Sequence, residues 1–247
     1  MHPEAGLSVQ WHAYTSEREA ARACAHGLLN CLDEALAGES FATLAVAGGA
    51  TPRAMFEELA LAGRDWRRIH LFFTDERMVP PSDPRSNYRL AEEALVFRAR
   101  IPRQNVHRIA GELSPDTAAR RYVDEIRDFF GLDPGEMPHF DAVHCGLGIA
   151  GNTAGLFPGE PLIEDRERIA AAVHEPGLGL SRVTLLPGVH LAAREILFLV
   201  TGADKAPAVR AVFHEPYQPL RYPAQVASHH GRRVVWFLDD AAAGLMD

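Results

Sequence analysis

The chain has 247 residues and a net charge of −8, with 47% hydrophobic and 23% charged residues, which is the balance of an ordinary globular protein. The negative charge argues against a nucleic-acid-binding protein, because such proteins normally present a basic face. It does not exclude a locally basic pocket that binds a small anion.

The first half of the chain predicts a helix, two strands and a second helix. A capping box, Ser16-x-x-Glu19, begins a helical pattern that runs to about Ala37. The apolar run 41–49 predicts a buried strand, and Thr51 is expected to cap the helix that Pro52 begins. The next elements in order are a strand at 67–75, a loop at 80–86, and a helix from about Asn87 to Phe97.

The second half continues the alternation of strands and helices. Its predicted elements are a short strand at 105–109, a helix from Ser114 to about Gly131, strands at 139–146, 168–175 and 194–202, a helix at 203–213, and a final strand and helix from 232. This order predicts an α/β fold, in one large domain or two small ones; the family resemblance given below implies one domain over residues 1–247. The expected architecture is a doubly wound, mostly parallel sheet with helices on both faces, which is Rossmann-like.

The expected absence of a membrane span and a secretory signal, together with the cysteine pattern, predicts a cytoplasmic protein. No apolar stretch approaches the ~18 residues that span a membrane, and the N-terminal 14 residues lack the pattern of a secretory signal. Of the three cysteines, Cys24 and Cys31 lie seven residues apart in a helical pattern. They are expected on a buried face as free thiols, which suits a reducing compartment.

Three polar segments follow strands and are expected to meet, because ligands bind at the carboxyl ends of parallel strands. They are AGGATPR (47–53), TDER (74–77) and GLGIAGNTAG (146–155). In the first, Gly48 and Gly49 let backbone amides approach a ligand, and the helix N-terminus after Thr51 attracts an anion. The alternative is a plain strand–helix turn.

Charged residues in two segments suit an anionic ligand. Arg77 is a candidate partner for an anion or an oxyanion, with Asp75 orienting it or accepting a proton; the alternative is a solvated charge cluster. Lys205 lies in the first turn of a helix, where a cation is unfavourable for the helix dipole. It either neutralises a phosphate or lies on the surface.

The glycine-rich segment 146–151 matches GxGxxG only formally. A dinucleotide fingerprint needs a full helix and an acid about 20 residues further on, whereas Pro158-Gly159 is expected to end the short helix that Asn152 and Thr153 begin. The twelve histidines show no metal-ligand spacing, so no metal site is expected.

Four segments, in order along nearly the whole chain, resemble the 6-phosphogluconolactonases, relatives of the glucosamine-6-phosphate isomerases and deaminases. They are AGGATPRAMFEELA, FFTDERMVPPSDPRSNYRLAEEAL, HFDAVHCGLGIAGNTAGLFPG and RVTLLPGVHLAAREILFLVTGADKAPAVRAVF. The third is similar to the family's GMGPDGHTASLFPG. The resemblance implies a cytoplasmic hydrolase of the pentose phosphate pathway. It would convert 6-phospho-D-glucono-1,5-lactone to 6-phosphogluconate without a cofactor, acting on a small sugar phosphate and not on nucleic acid or membranes.

The resemblance also implies roles for individual residues. Gly48, Gly49, Thr51, Arg182 and Lys205 would hold the phosphate, with Gly151 also in the binding loop. Asp75, Arg77 and Asn87 would line the sugar ring. The chain departs from the family at several positions, and two of them affect the catalytic loop most: Ala150 replaces an aspartate, and Asn152 replaces the catalytic histidine. Asp75, Arg77 and Asn152 are therefore the expected catalytic set, in a monomer or small homo-oligomer.

The departure leaves three interpretations open. An asparagine can orient a water but cannot accept its proton near neutral pH, so an active lactonase needs a substitute base, for which Asp75, His144 and His190 are candidates. Alternatively, the protein binds sugar phosphates without turnover. The third interpretation, an amino-sugar-phosphate isomerase or deaminase, is weakened by the same missing histidine.

Overall fold

The computed structural model describes residues 9–175 and 179–246. The N-terminal 14 residues, whose sequence lacks the pattern of a secretory signal, therefore lie largely outside the described residues. Within them, ten strands and nine α-helices alternate along most of the chain. No described helix is both long enough and apolar enough to cross a membrane.

Seven strands form one parallel sheet. In chain order they are β1 (Val9–Tyr14), β2 (Ala42–Val46), β3 (Ile69–Phe73), β5 (Val106–His107), β6 (Ala142–Cys145), β9 (Glu195–Val200) and β10 (Val234–Asp239). Their order across the sheet is β1-β10-β9-β6-β2-β3-β5, and every pair is parallel. The chain moves from β2 toward one edge and then from β6 toward the other. This reversal between β2 and β6 is where such sheets open a crevice for ligands.

The remaining three strands form a small antiparallel sheet that the sequence analysis did not predict. They are β4 (Asp75–Arg77), β7 (Ala170–Glu175) and β8 (Leu180–Leu185), with β8 in the centre. TDER was predicted as a loop, but its last three residues form β4, because β8 supplies a partner strand more than a hundred residues away. The mostly parallel α/β sheet is confirmed, with this addition.

Helices cover the sheet. They are α1 (Glu17–Gly38), α2 (Pro52–Leu61), α3 (Asn87–Ala91), α4 (Phe97–Ala99), α5 (Pro115–Phe130), α6 (Pro187–Ala192), α7 (Ala206–His214), α8 (Ala224–His230) and α9 (Asp240–Ala243). The sequence did not predict α6 and α8, and the other helices lie within a few residues of their predicted positions. A π-helical turn, Glu92–Val96, joins α3 to α4. The Ser16 hydroxyl accepts a hydrogen bond from the Glu19 amide, as the capping box predicts.

The core lies between the sheet and the helices on its faces. Cys24 and Cys31 are buried free thiols on the inner face of α1, as predicted, and Cys145 is also a buried free thiol. At one end of the sheet the rings of Phe198 and Trp236 stack with centroids 4.0 Å apart. Burial of these apolar side chains is the main stabilising contribution, at about 25 cal/mol per Å² of apolar surface, and it fixes the loops that follow the central strands.

Candidate functional site

The loops after β2, β6 and β9 surround a cavity of about 500 Å³ together with the small antiparallel sheet. We call this cavity the site cavity. It lies at the reversal of strand order, so the three polar segments expected to meet do lie around one space. Of the candidate residues named from the sequence, the following line it: Gly48, Gly49, Thr51, Asp75, Arg77, Asn87, Asn152, Arg182 and Lys205.

The segment after β2 lines the site cavity with backbone, because Gly48 and Gly49 have no side chains. Gly49 has φ +106°, a conformation that a side chain rarely adopts, and a Cβ at Gly48 would collide with the Asn87 side chain. Both positions therefore require glycine for backbone geometry and close approach. Thr51 was expected to cap α2, but its backbone is already helical and its side chain makes no capping hydrogen bond. Its hydroxyl is not used to hold the helix.

Lys205 faces the same cavity from the segment after β9. Its ammonium lies 3.3 Å from the Asp204 carboxylate, and its side chain is about one-fifth exposed. The preceding turn is anchored by Asp239, whose carboxylate accepts the Gly202 amide at 3.0 Å and the Ala242 amide at 2.8 Å. Lys205 therefore projects from a backbone that the last strand holds in place.

The small antiparallel sheet places two arginines side by side. Arg77 on β4 is the register partner of Arg182 on β8, so the two Cβ atoms point to the same face. Asp75, two residues before Arg77, points to that face as well because strand residues alternate. Arg182 donates to the Asp75 carboxylate at 2.8 Å, and both side chains are nearly buried. Arg77 donates to the Asn87 side-chain oxygen at 2.9 Å and to the Arg85 carbonyl at 2.8 Å.

Glu76 points to the opposite face of β4 and is an internal anchor. Its buried carboxylate accepts hydrogen bonds from the Asn87 and Tyr88 amides at 2.8 Å and from the Ser86 hydroxyl at 2.9 Å. Burial raises the pKa of Glu76, and these hydrogen bonds oppose that increase. The effect is to fix the first turn of α3, whose Asn87 amide group donates to the Asp75 carbonyl at 2.8 Å.

The glycine-rich segment after β6 forms a tight hydrogen-bonded turn rather than the short helix predicted to begin at Asn152. Gly151 and Ala154 have φ of +78° and +47°, which a helix cannot accommodate. The Gly148 amide donates to the Asn152 carbonyl, and the Thr153 hydroxyl donates to the Gly146 carbonyl, both at 2.8 Å. The turn is therefore rigid in its backbone.

Within this turn only part of the predicted set faces the site cavity. Asn152 lines it, and its side-chain amide has no hydrogen-bond partner among the described residues. Gly151 does not line the cavity; its carbonyl accepts the Ala224 amide and its Cα faces Tyr222. Ala150 is exposed and also outside the cavity lining. Gly151 thus supports the turn and does not face the cavity.

The two histidines considered as substitute bases lie away from the site cavity. His144 is buried, its Nδ1 accepts the Ala47 amide at 3.3 Å, and burial lowers its pKa to about 3. His190 is also buried, and burial lowers its pKa. Neither ring is among the residues that line the cavity. Asp75 is the one substitute base proposed from the sequence that reaches it.

Several residues of the cavity wall were not identified from the sequence. Glu17 and Asp204 add two carboxylates, and Gly148 supports the Asn152 side chain so closely that a Cβ at position 148 would collide with it. The sequence did contain a signal for two of these residues: Gly148 lies among the other glycines of its segment, and Asp204 precedes Lys205. No sequence signal pointed to Glu17, because an acidic residue is common in the first turn of a helix. No group of three metal-ligating side chains occurs among the described residues.

A family model, curated relatives and solved structures all match this chain to the same family. Residues 15–236 match the family described as glucosamine-6-phosphate isomerases/6-phosphogluconolactonase. The chain is 34% identical over 216 residues to a 6-phosphogluconolactonase of Nostoc sp., covering 87% of this chain and 89% of that protein. It is 38% identical over 181 residues to human 6-phosphogluconolactonase, covering 72% and 69%. The solved 6-phosphogluconolactonase of Trypanosoma brucei, 23% identical, has the same fold with a TM-score of 0.85 over 98% of this chain and 100% of that one.

Proposed function

The chain belongs to the family of glucosamine-6-phosphate isomerases and 6-phosphogluconolactonases, and we propose that it hydrolyses 6-phospho-D-glucono-1,5-lactone to 6-phosphogluconate. The observation that carries this proposal is the joint placement of Arg77, Arg182 and Lys205 with the Gly48–Gly49 amides around one cavity. Such a wall matches a phosphate ester attached to a polar ring, because cationic side chains and free amides both bind phosphate oxygens.

In the proposed reaction, the phosphate lies against the glycine amides, Thr51, Arg182 and Lys205. Asp75, Arg77 and Asn87 contact the ring. A water attacks the C1 carbonyl, the bond from C1 to the ring oxygen breaks, and the ring oxygen takes a proton to become a hydroxyl. Negative charge develops on the carbonyl oxygen during attack, and a nearby guanidinium stabilises it.

Asn152 orients the attacking water through its unpartnered side-chain amide. An amide does not accept the proton that the water releases, so a carboxylate must do so. Asp75 is the proposed acceptor, because it lines the cavity and is held by Arg182. A carboxylate is in general a weaker base than the imidazole it replaces. The expected enzyme is therefore slow relative to a family member with a histidine, by about 10²–10⁴-fold.

A lactone hydrolysis assay tests this function directly. The wild-type protein is expected to accelerate the opening of 6-phospho-D-glucono-1,5-lactone above the spontaneous rate, and Asp75→Asn is expected to abolish the acceleration. Lys205→Gln is expected to raise KM with a smaller effect on kcat, because it removes ground-state binding. A wild-type rate equal to the spontaneous rate would contradict the proposal.

One observation favours a second candidate, a sugar-phosphate-binding protein without turnover. Among the described residues, the cavity wall contains no imidazole, which removes the family's usual base while the cationic groups remain. This candidate predicts 6-phosphogluconate affinity in a calorimetric titration with no hydrolysis. The third interpretation, an amino-sugar-phosphate isomerase or deaminase, predicts ammonia release from glucosamine 6-phosphate.

We further propose that the chain functions as one domain over residues 1–247, in the cytoplasm, as a monomer or small homo-oligomer. One sheet contains both β1 and β10, which are neighbours in it although they lie near opposite ends of the sequence. Light scattering on the purified protein measures the oligomeric state, and limited proteolysis tests the single domain.

A further inference from the structure

A second and larger cavity lies at the opposite end of the sheet from β1. It has a volume of about 750 Å³ and is formed by α3, the π-helical turn, α4 and the segment around β5. Its lining includes the side chains of Tyr88, Phe97, Arg98, Arg100, Arg103 and Arg108. We call it the arginine cavity. Its size is within the range of small-molecule sites, which is about 300–1,000 Å³.

The arginine cavity is strongly basic in a chain whose net charge is −8. Four arginines line it, and Glu92 is the one carboxylate among its described lining residues. Glu92 accepts the Tyr88 hydroxyl at 2.7 Å. A concentration of cations of this kind attracts anions, since charges of one sign lining a concave surface reinforce one another.

Two of the four arginines have carboxylate partners outside the cavity. Arg108 makes a bidentate contact with Glu112 at 2.7 and 2.8 Å, and Arg98 lies 3.5 Å from Glu57. Arg100 and Arg103 are exposed and form no ion pair with any described residue. These two guanidinium groups are therefore available to a multiply charged anion.

Flat apolar surface lies beside the charges. The Phe97 side chain is 81% exposed, more than any other large hydrophobic residue among those described. Val96, Ile101 and Val106 supply an apolar lining. The Arg108 guanidinium lies 5.6 Å from the Tyr88 ring centroid, which covers that ring and leaves Phe97 as the accessible aromatic face. A planar ring can stack on such a face.

The backbone holds Arg100 in an unusual position. Its φ of +54° is in the left-handed region, where a helix normally ends on glycine or asparagine. The Ile101 amide closes the turn by donating to the Val96 carbonyl at 3.0 Å. The arginine is thus directed by a fixed helix end, next to the π-helical turn, rather than by a mobile loop.

We propose that the arginine cavity binds a nucleotide, with the phosphates on Arg100 and Arg103 and the base against Phe97. The chemistry combines two features that a simple phosphate does not need, an exposed aromatic face and space beyond the cations. The inference is independent of the lactonase function, because none of these residues lines the site cavity.

Calorimetric titration of the full chain with ADP tests the proposal, with adenosine and inorganic pyrophosphate as separate arms. ADP is expected to bind, and each half-ligand is expected to bind at least about 10-fold more weakly because it lacks one set of contacts. Arg100→Gln with Arg103→Gln is expected to weaken ADP binding by about 10–100-fold, and Phe97→Ala by about 10-fold.

The matched control is Arg22→Gln with Arg232→Gln, which removes the same charge from exposed positions on α1 and before β10. It should leave the ADP dissociation constant unchanged, as should Lys205→Gln in the site cavity. The variants change exposed side chains, and their melting curves report whether they are folded. Four results would overturn the proposal: no ADP binding at millimolar concentration, pyrophosphate binding as tightly as ADP, an equal loss in the control, or a loss in Lys205→Gln.

Discussion

The two walls of the site cavity differ in how their side chains are bonded. On the wall formed by β4 and β8, Asp75 pairs with Arg182 and Arg77 pairs with Asn87. On the wall formed by the turn after β6, the backbone is equally well hydrogen bonded, but the Asn152 amide has no partner among the described residues. The first wall is organised to bind charge. In the second wall, hydrogen bonds hold the backbone of the turn in place, but the turn presents no titratable group to the cavity.

This difference indicates that the two walls depend on different parts of the sequence. The glycines and Thr153 fix the turn's shape whatever residue occupies position 152. The ion pairs of the other wall need their individual side chains. A histidine can therefore be lost from the turn without disturbing the fold, while loss of Arg182 affects both binding and stability.

The largest expected effect comes from restoring the missing groups of the turn. Ala150→Asp with Asn152→His should raise lactonase kcat by about 10²–10⁴-fold, because a positioned base becomes available. The rate should increase with pH through the new histidine's pKa, since the neutral imidazole is the active form. Stopped-flow pH–rate profiles measure both. Asn152→Gln, which does not titrate, is the control, and an unchanged rate in the double variant would show that the turn does not face the reacting carbonyl.

The second largest expected effect is on stability, and it comes from removing the ion pair between Arg182 and Asp75 in the first wall. Arg182→Met leaves the Asp75 carboxylate buried without its partner, which should lower the free energy of unfolding by about 3–5 kcal/mol. Urea unfolding at pH 7 measures it. Arg194→Met removes an equally short but exposed ion pair with Glu34 and should cost no more than about 1 kcal/mol. Similar losses in the two variants would contradict the distinction between the walls.

One methyl group added at Gly48, which lies against the Asn87 partner of the first wall, or at Gly148 in the second wall separates binding from turnover. Gly48→Ala should displace Asn87 and raise KM, at a cost of about 1–3 kcal/mol in stability from overpacking. Gly148→Ala should displace the Asn152 amide and lower kcat more than it raises KM. Steady-state kinetics measure the split. Gly38→Ala, where a Cβ meets nothing within 4 Å, is the control. A kcat effect in Gly48→Ala with a KM effect in Gly148→Ala would contradict the roles assigned to the two walls.

The smallest expected effect concerns His144, which lies on β6 directly before the turn. Because its folded pKa is lowered to about 3, its contribution to stability is present above the unfolded pKa of about 6.5 and is lost as pH falls toward 3. Between pH 7 and pH 5, wild type should lose about 1–2 kcal/mol more than His144→Gln. Urea unfolding at both pH values measures this difference. Equal losses would show that burial does not lower the pKa of His144.

Local sequence patterns predict much of the fold. The elements that they miss depend on contacts between residues far apart in the chain. Ser16 and Glu19 specify the start of α1, and the apolar runs specify β2, β3, β6 and β9, since burial and capping act within a few residues. β4 was missed because Asp75–Arg77 becomes a strand only by pairing with β8. The turn at 146–155 was predicted to begin a helix because positive φ at Ala154 has no signal in that residue's type.

The candidate site was predictable where residue type and chain position agree, as for Gly48, Gly49 and Lys205 after strands. Gly151 was assigned to binding because it lies beside Asn152, yet its left-handed backbone faces Tyr222. Thr51 reaches the cavity without capping α2. Sequence spacing located the loop in both cases, but it did not determine the direction of each residue, which depends on φ and on neighbours from other segments.

The register of β4 and β8 sets Arg77 directly opposite Arg182, and like charges at such positions repel each other. The Asp75 carboxylate offsets part of this repulsion through its ion pair with Arg182. An anion bound by both guanidinium groups would add a second negative charge there, and a ligand that binds only the folded state stabilises it. Occupancy of the cavity should thus be coupled to the heat resistance of the whole chain, and the melting temperature becomes a sensor of whichever phosphate ester the cell supplies.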